Sequence, residues 1–128
     1  MDYFSSNSMF LMEKSMNYLW TKQAAISDNI ANAETPNYKA KIVTFEESLR
    51  DKFEQAMRSA TPRASMRETL QDARFTVVTT QDSTRMDDNG VNTTEQMVEL
   101  VRNAYQLQYV MNAISTDLST LRTAISGK

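Results

Sequence analysis

Near the beginning of the chain, apolar side chains recur at alternating spacings of three and four residues. This heptad spacing predicts an amphipathic helix with a coiled-coil seam, interrupted by one polar position. The predicted seam consists of Met9, Met12, Met16, Leu19, Gln23, Ile26, Ile30 and Ala33. Several residues between Ser5 and Ser8 are candidate N-caps. Pro36 disfavours a helical backbone at Thr35, so the helix is expected to end near Glu34.

The C-terminal segment has the same spacing without a polar interruption. Its predicted seam consists of Met97, Leu100, Ala104, Leu107, Met111, Ile114, Leu118, Leu121 and Ile125. Asn89-Gly90 is a turn signal ahead of the helix, and Thr93 with Gln96 forms a capping-box pattern at its start. Gly127 is expected to end the helix.

Two such seams in one chain predict an antiparallel coiled coil between the N- and C-terminal helices. Two helices cannot cover every apolar residue that these segments carry, and a large exposed apolar patch indicates an interaction surface. The residues left over are Phe10, Trp20, Val98, Val101, Tyr105, Tyr109 and Val110. The pattern therefore favours a chain that binds partners or polymerises over an isolated helical hairpin.

The middle of the chain carries weaker signals. Thr44 and Glu47 form a second capping-box pattern, and Phe45, Leu49, Phe53 and Met57 recur every four residues, which predicts a short helix. Residues 59–65 are predicted to break that helix, 66–73 to be weakly helical, 73–81 to be extended and 83–90 to form a loop. The fold class is thus mainly α, with an N-terminal helix and turn (1–38), a small mixed insert (39–92) and a C-terminal helix (93–128).

Composition narrows the chemistry. The 14 basic and 16 acidic residues are mixed along the chain, so no basic stripe for a nucleic acid is expected. The chain has no cysteine and no histidine, which excludes thiolate and imidazole ligands and the commonest general base. Asp87, Asp88 and Asn89 resemble part of a calcium loop, but the distal glutamate is missing and a solvated turn is the simpler interpretation. We expect no enzymatic activity, cofactor or metal.

The first ten residues have neither a basic start nor a long apolar run, so no secretory signal peptide is predicted. No stretch of the sequence is long and apolar enough to span a bilayer, so no membrane insertion is predicted either. The chain is then expected to be cytoplasmic or exported without a cleaved signal. A small soluble helical adaptor or chaperone, binding one partner helix in a groove, is the competing class of function. An enzyme ranks third, because no carboxylate cluster is evident.

One short motif identifies a family. The residues Asn29-Ile30-Ala31-Asn32 followed by Thr35-Pro36-Asn37-Tyr38 resemble the N-terminal signature of bacterial flagellar axial proteins, the rod, hook and hook-associated proteins. Many of these proteins have glycine where this chain has Asn37, and asparagine tolerates the same left-handed backbone. The segment from Asp87 to Gly127 is similar to the C-terminus of the short proximal-rod members, with Gln96 inserted and Asn92 in place of an acidic residue.

This resemblance implies a structural subunit of the flagellar proximal rod, whose terminal helices pack with those of neighbours to form a drive shaft and the wall of the export channel. It also implies export through the flagellar type III apparatus to an extracytoplasmic position in the basal body. The implied partners are further copies of the chain and FlgC, FlgF and FliE subunits, close to the MS ring and the export gate. The turn from Thr35 to Tyr38 is predicted to contact an adjacent subunit, the alternative being a helix stop with Tyr38 packed on its own chain.

Overall fold

The computed structural model describes residues 7–45, 48–81 and 86–127. Over these residues the protein is mainly helical, with a small two-stranded sheet. The elements in chain order are α1 (Asn7–Ala31), β1 (Lys41–Phe45), α2 (Ser48–Met57), α3 (Pro62–Asp72), β2 (Phe75–Thr79) and α4 (Thr93–Ser126). In this part of the chain no helix combines the length and apolar character needed to cross a bilayer.

The first long helix forms where the heptad pattern predicts it, but it ends at Ala31 rather than near Glu34. The chain then makes tight turns, in which the Asn32 N–H donates to Asp28 and the Thr35 N–H donates to the Asn32 carbonyl. Ser8 lies inside the helix and is therefore not its cap, while Ser5 and Ser6 lie outside the described residues. Pro36 follows this turn and prevents the helix from resuming.

The last helix, α4, has 34 residues and is therefore about 50 Å long. The predicted capping box is wrong, because Asn92 is the N-cap and its side-chain oxygen accepts from the Glu95 N–H at 3.3 Å. Thr93 is already helical, and the Gln96 side chain is used in a contact with α1. Gly127 ends the helix as predicted, with φ at 67° and its N–H donating to Thr123.

The segment predicted to open the middle helix is instead a strand. Thr44 lies in β1, where it pairs with Thr76 of β2, so it cannot cap a helix, and Glu47 lies outside the described residues. Antiparallel pairing and the burial of Val43 against α1 outweigh a local capping preference here. Phe45 also belongs to this strand rather than to the predicted apolar helix face.

The other middle elements follow the predictions more closely. A short helix is present as α2, and the predicted extended segment forms β2. The weak helix, α3, begins at Pro62, before the predicted 66–73 segment, because proline suits the first turn of a helix. The break between the two helices is therefore shorter than the predicted 59–65 and consists of residues 58–61.

Helix α1 is the central element of the fold, because it contacts α4, β1 and α3. Tyr18 links α1 to the sheet, with its ring edge-to-face on Phe45 at 5.0 Å and on Phe75 at 6.2 Å between centroids. Buried apolar side chains are few and mostly small: Leu19, Ala25, Ile26, Ala33, Ala40, Val43, Ala56, Leu70, Ala73 and Val91. A core of this kind leaves much of the long helices open to further contacts.

Candidate subunit interface and the motif that supports it

Asn29, the first asparagine of the motif, is fully buried and satisfies its side chain within its own chain. Its Nδ2 donates to the Lys41 carbonyl at 2.8 Å and to Gln96 Oε1 at 3.0 Å. Its Oδ1 accepts from the Lys41 N–H at 2.8 Å and from the Tyr38 hydroxyl at 3.3 Å. One side chain thus joins α1, the start of β1 and the first turn of α4.

A second buried asparagine, Asn89, fastens the loop before α4 to the end of α1. Its Nδ2 donates to the carbonyls of Asn32 at 3.1 Å and Thr35 at 2.7 Å, and its Oδ1 accepts from the Val91 N–H at 2.7 Å. The interpretation of residues 87–89 as a solvated turn is therefore wrong for Asn89. The Asn32 and Thr35 carbonyls lie just beyond the end of α1, and this amide supplies each of them with a donor.

The Thr35–Tyr38 turn divides between exposed and packed residues. Thr35, Pro36 and Asn37 are exposed, and Asn37 has a left-handed backbone with φ at 59°. Tyr38 is half-buried, packs against Ala33, Ala40 and Val91, and donates its hydroxyl to Asn29. Tyr38 therefore contacts its own chain, and only the exposed residues of the turn are free to meet a neighbour.

The contacts between α1 and α4 run in opposite chain directions. Asn29 meets Gln96, Lys22 meets Glu99 at 2.8 Å, and Gln23 meets Asn103 at 2.7 Å, so lower numbers on α1 face higher numbers on α4. Along α1 and the turn that follows it, the residues of the predicted seam are buried or half-buried. Leu19, Ile26 and Ala33 are buried, while Met9, Met12, Met16 and Ile30 are half-buried.

On α4, however, the predicted seam splits into two faces. Its inner face, turned toward α1, consists of Gln96, Leu100, Asn103, Leu107, Val110 and Ile114, of which Asn103 is fully buried and the rest are half-buried. Its outer stripe consists of Met97, Ala104, Met111, Leu118 and Ile125, all exposed. Of the predicted seam, Leu100, Leu107 and Ile114 therefore lie on the inner face, Leu121 is half-buried, and the members of the outer stripe are exposed.

Ion pairs accompany the helix contact. Glu99 lies between Lys22 at 2.8 Å and Arg102 at 2.5 Å. The hydrogen bond from Lys22 lowers the pKa of Glu99, against the opposing effect of partial burial. On the motif side, the hydrogen bond and charge of Asp28 at 2.6 Å raise the pKa of Lys41.

Two apolar grooves flank the α1–α4 pair on opposite sides and share no lining residue. The first has a cavity of about 500 Å³ and is lined by Trp20, Gln23, Ala104, Leu107, Gln108, Met111 and Asn112. The second has a cavity of about 440 Å³ and is lined by Ser15, Tyr18, Leu19, Tyr105, Gln106, Tyr109 and Val110. Trp20, Tyr105 and Tyr109 are all exposed by more than half, although large aromatics are usually buried in monomeric proteins.

Among the residues that the structure describes, no three acidic side chains come together as a metal site. The candidate site therefore consists of two apolar grooves and an exposed apolar stripe on two long helices, with Asn29 joining those helices at the motif end.

Comparison with known proteins agrees with this description. A family model described as "Flagella basal body rod protein" matches residues 15–39, which hold most of α1 and the whole motif. The chain is also 27% identical over 117 residues to "Flagellar basal body rod protein FlgB" of Bacillus subtilis (strain 168), covering 91% of each chain. Over most of its length the chain is therefore similar to a flagellar basal-body rod protein. Because the alignment with FlgB also spans the middle segment, the sheet and the short helices lie within the length shared by the two chains.

Sequence reasoning did not assign the structural roles of three residues that shape this site. Asn89 and Asn103 are buried polar residues, and Lys41 begins a strand that was not predicted. The alternation in Lys41–Phe45 is a weak strand signal that the neighbouring capping pattern obscured. Asn103 lies seven residues after Gln96, and that polar repeat beside an apolar seam was the available sign of the true inner face.

Proposed function

We propose that this chain is a structural subunit of the proximal rod, polymerising by lateral packing of its terminal helices to form part of the drive shaft and of the export channel wall. The observation that carries the proposal is the pair of apolar grooves on opposite flanks of the α1–α4 pair. Two unlike faces on one subunit allow head-to-tail contacts, and such contacts generate open helical assemblies.

The outer stripe of α4 adds a third contact surface. Its members are seven residues apart from Met97 to Ile125, so they lie along one side of a helix about 50 Å long. A stripe of this length suits another helix better than a compact ligand. We propose that α1 and α4 pair as an antiparallel coiled coil and that the outer stripe receives a helix of a neighbouring subunit.

The exposed residues of the motif turn are proposed as an additional contact with an adjacent subunit. Thr35, Pro36 and Asn37 project beyond a turn that Asn89 and Tyr38 hold rigid, which is a suitable arrangement for a specific contact. The substitution Thr35→Lys should reduce rod assembly, whereas Tyr38→Phe should mainly lower stability because it removes one hydrogen bond.

The remaining details rest on the resemblance to rod proteins. We propose that the subunit is exported without a cleaved signal to an extracytoplasmic site, and that it meets FlgC, FlgF and FliE subunits near the MS ring and the export gate. A soluble adaptor that binds one partner helix would need a single groove. Two apolar grooves on opposite flanks favour polymerisation over that alternative.

Matched methionine substitutions test the proposal. Met111 and Met57 are both exposed, but only Met111 lies in a groove and on the outer stripe. In the source bacterium lacking its own copy, Met111→Glu should abolish motility and remove the subunit from purified basal bodies, because a charge would be buried at a helix contact. Met57→Glu should leave both unchanged. Normal motility with Met111→Glu would refute polymerisation through this face.

A further inference from the structure

The inner face of α4 is less hydrophobic than the outer stripe, and yet it is the inner face that packs against α1. The two sets of residues interleave along the same helix. Leu100 and Leu107 of the inner face also border the outer stripe. A modest rotation of α4 about its axis would turn Ala104 and Met111 toward α1 in place of Asn103 and Val110. Apolar burial alone would favour that rotated arrangement.

Polar contacts hold the observed arrangement in place. Asn103 Nδ2 donates to the Leu19 carbonyl at 3.0 Å and to Gln23 Oε1 at 2.7 Å, and Asn29 donates to Gln96 Oε1 at 3.0 Å. Gln23 is the single polar residue of the predicted α1 seam. Its hydrogen-bond donor, Asn103, is the buried polar residue of the inner face of α4. Rotating α4, or sliding it by one heptad, would separate Gln23 from Asn103.

Asn103 is poorly suited to a role in stability alone. It is fully buried, and its Oδ1 has no hydrogen-bond partner among the residues that the structure describes. A buried acceptor without a partner is destabilising, whereas a leucine at this position would bury apolar surface. In coiled coils, a single buried asparagine sets register and partner choice at a cost in stability.

We propose that Asn103 and Gln23 determine which face and register of α4 packs against α1, and thereby keep the apolar outer stripe on the surface. They are specificity-determining residues of the helix pair, since a purely apolar contact would bury the outer stripe within the subunit. This inference concerns the single chain and does not depend on the proposed role in the rod.

The absence of cysteine allows a direct test. In separate proteins, Met111→Cys reports on the outer stripe and Val110→Cys on the inner face. With Asn103 and Gln23 intact, a thiol reagent should label Met111→Cys severalfold faster than Val110→Cys. In the double variant Asn103→Leu with Gln23→Leu, the order of labelling rates should reverse while the protein stays folded. Labelling is measured at a concentration where sedimentation shows a monomer, so that self-association does not protect the outer stripe.

The control is Asn112→Leu, which makes the same type of change on an exposed position of the same helix and should leave the order of rates unaltered. If the double variant does not fold, Gln23→Leu alone should still narrow the difference between the two rates, because Asn103 loses one of its two acceptors. An unchanged order of labelling in a folded double variant, or an unchanged rate difference in Gln23→Leu, would overturn the inference. Either result could occur with rod assembly intact, so the failure of this inference is distinct from the failure of the proposed function.

Discussion

Replacing Asn29 with alanine should cost much more stability than an asparagine-to-alanine change usually does. The substitution removes four hydrogen bonds at once, to the N–H and carbonyl of Lys41, to Gln96 and to Tyr38. Because Asn29 is fully buried, its removal also leaves a small cavity between α1, β1 and α4. The change therefore acts on the point where three elements join.

The magnitude follows from the groups left behind. The Tyr38 hydroxyl and the Gln96 amide are half-buried and can turn to water, so each loses about 1 kcal/mol. The two backbone groups of Lys41 at the start of β1 cannot move without breaking the strand, and each costs about 1–2 kcal/mol when left without a partner. We expect a total loss of about 4–6 kcal/mol, a large fraction of the 5–15 kcal/mol that is typical for a domain.

Urea unfolding followed by circular dichroism measures this loss as a shift in midpoint at constant slope. Asn32→Ala is the matched control from the same motif. Asn32 donates to the Asp28 carbonyl at 2.8 Å and accepts from the Thr35 hydroxyl at 3.2 Å, and both contacts are exposed to water. Its removal should cost less than about 1 kcal/mol. Equal losses for the two variants would refute the reasoning that Asn29 joins the three elements.

Three further predictions test other parts of the structure. Asn37→Ala should lower stability by about 1 kcal/mol while Asn37→Gly should be close to neutral in urea unfolding, because the backbone at this position is left-handed. Glu99→Gln should remove a contribution of up to about 1 kcal/mol. The lowered pKa of Glu99 means that this contribution is present above the unfolded pKa and is lost as the pH falls through the lower, folded pKa. The stabilities of the variant and the parent should therefore converge at acidic pH in urea titrations. In a verified monomer, hydrogen exchange should show protection that is strongest near Asn103 and falls toward Ile125, and uniform strong protection of α4 would contradict this.

The long helices could be predicted from sequence because their signals are local and repeated. Each heptad pattern contains enough apolar positions to indicate a helix. Pro36 indicates that α1 ends before it, and Gly127 is the residue at which α4 ends. The strand at Lys41–Phe45 could not be predicted in the same way, since it is stabilised by Phe75–Thr79 across a long stretch of intervening chain. Short capping patterns such as Thr44 and Glu47 are weaker than such long-range pairing.

The candidate site was predicted less completely than the fold. The motif residues were named from the sequence, but the partners that explain the burial of Asn29 are distant in sequence: Lys41 and Gln96. Asn89 is also far from the helix end that it satisfies, and its role depends on the loop before α4 folding back onto α1. Local pattern identifies such residues as unusual, but only the tertiary contacts say what they bind.

The seam on α4 shows why an apolar pattern can be right about a helix and wrong about its packing. The nine predicted positions extend around more of the helix than one neighbour can cover, and α1 contacts the side marked by Asn103 rather than the side marked by Met97, Met111 and Leu118. In a monomeric protein, selection against exposed apolar surface would remove the unused stripe. In the proposed rod that stripe receives a neighbouring subunit, and the role inferred for Gln23 and Asn103 is to keep it available. Under these two proposals the surplus of apolar positions and the buried asparagine are parts of one arrangement, in which each subunit forms a defined helix pair and presents its most hydrophobic stripe to the next.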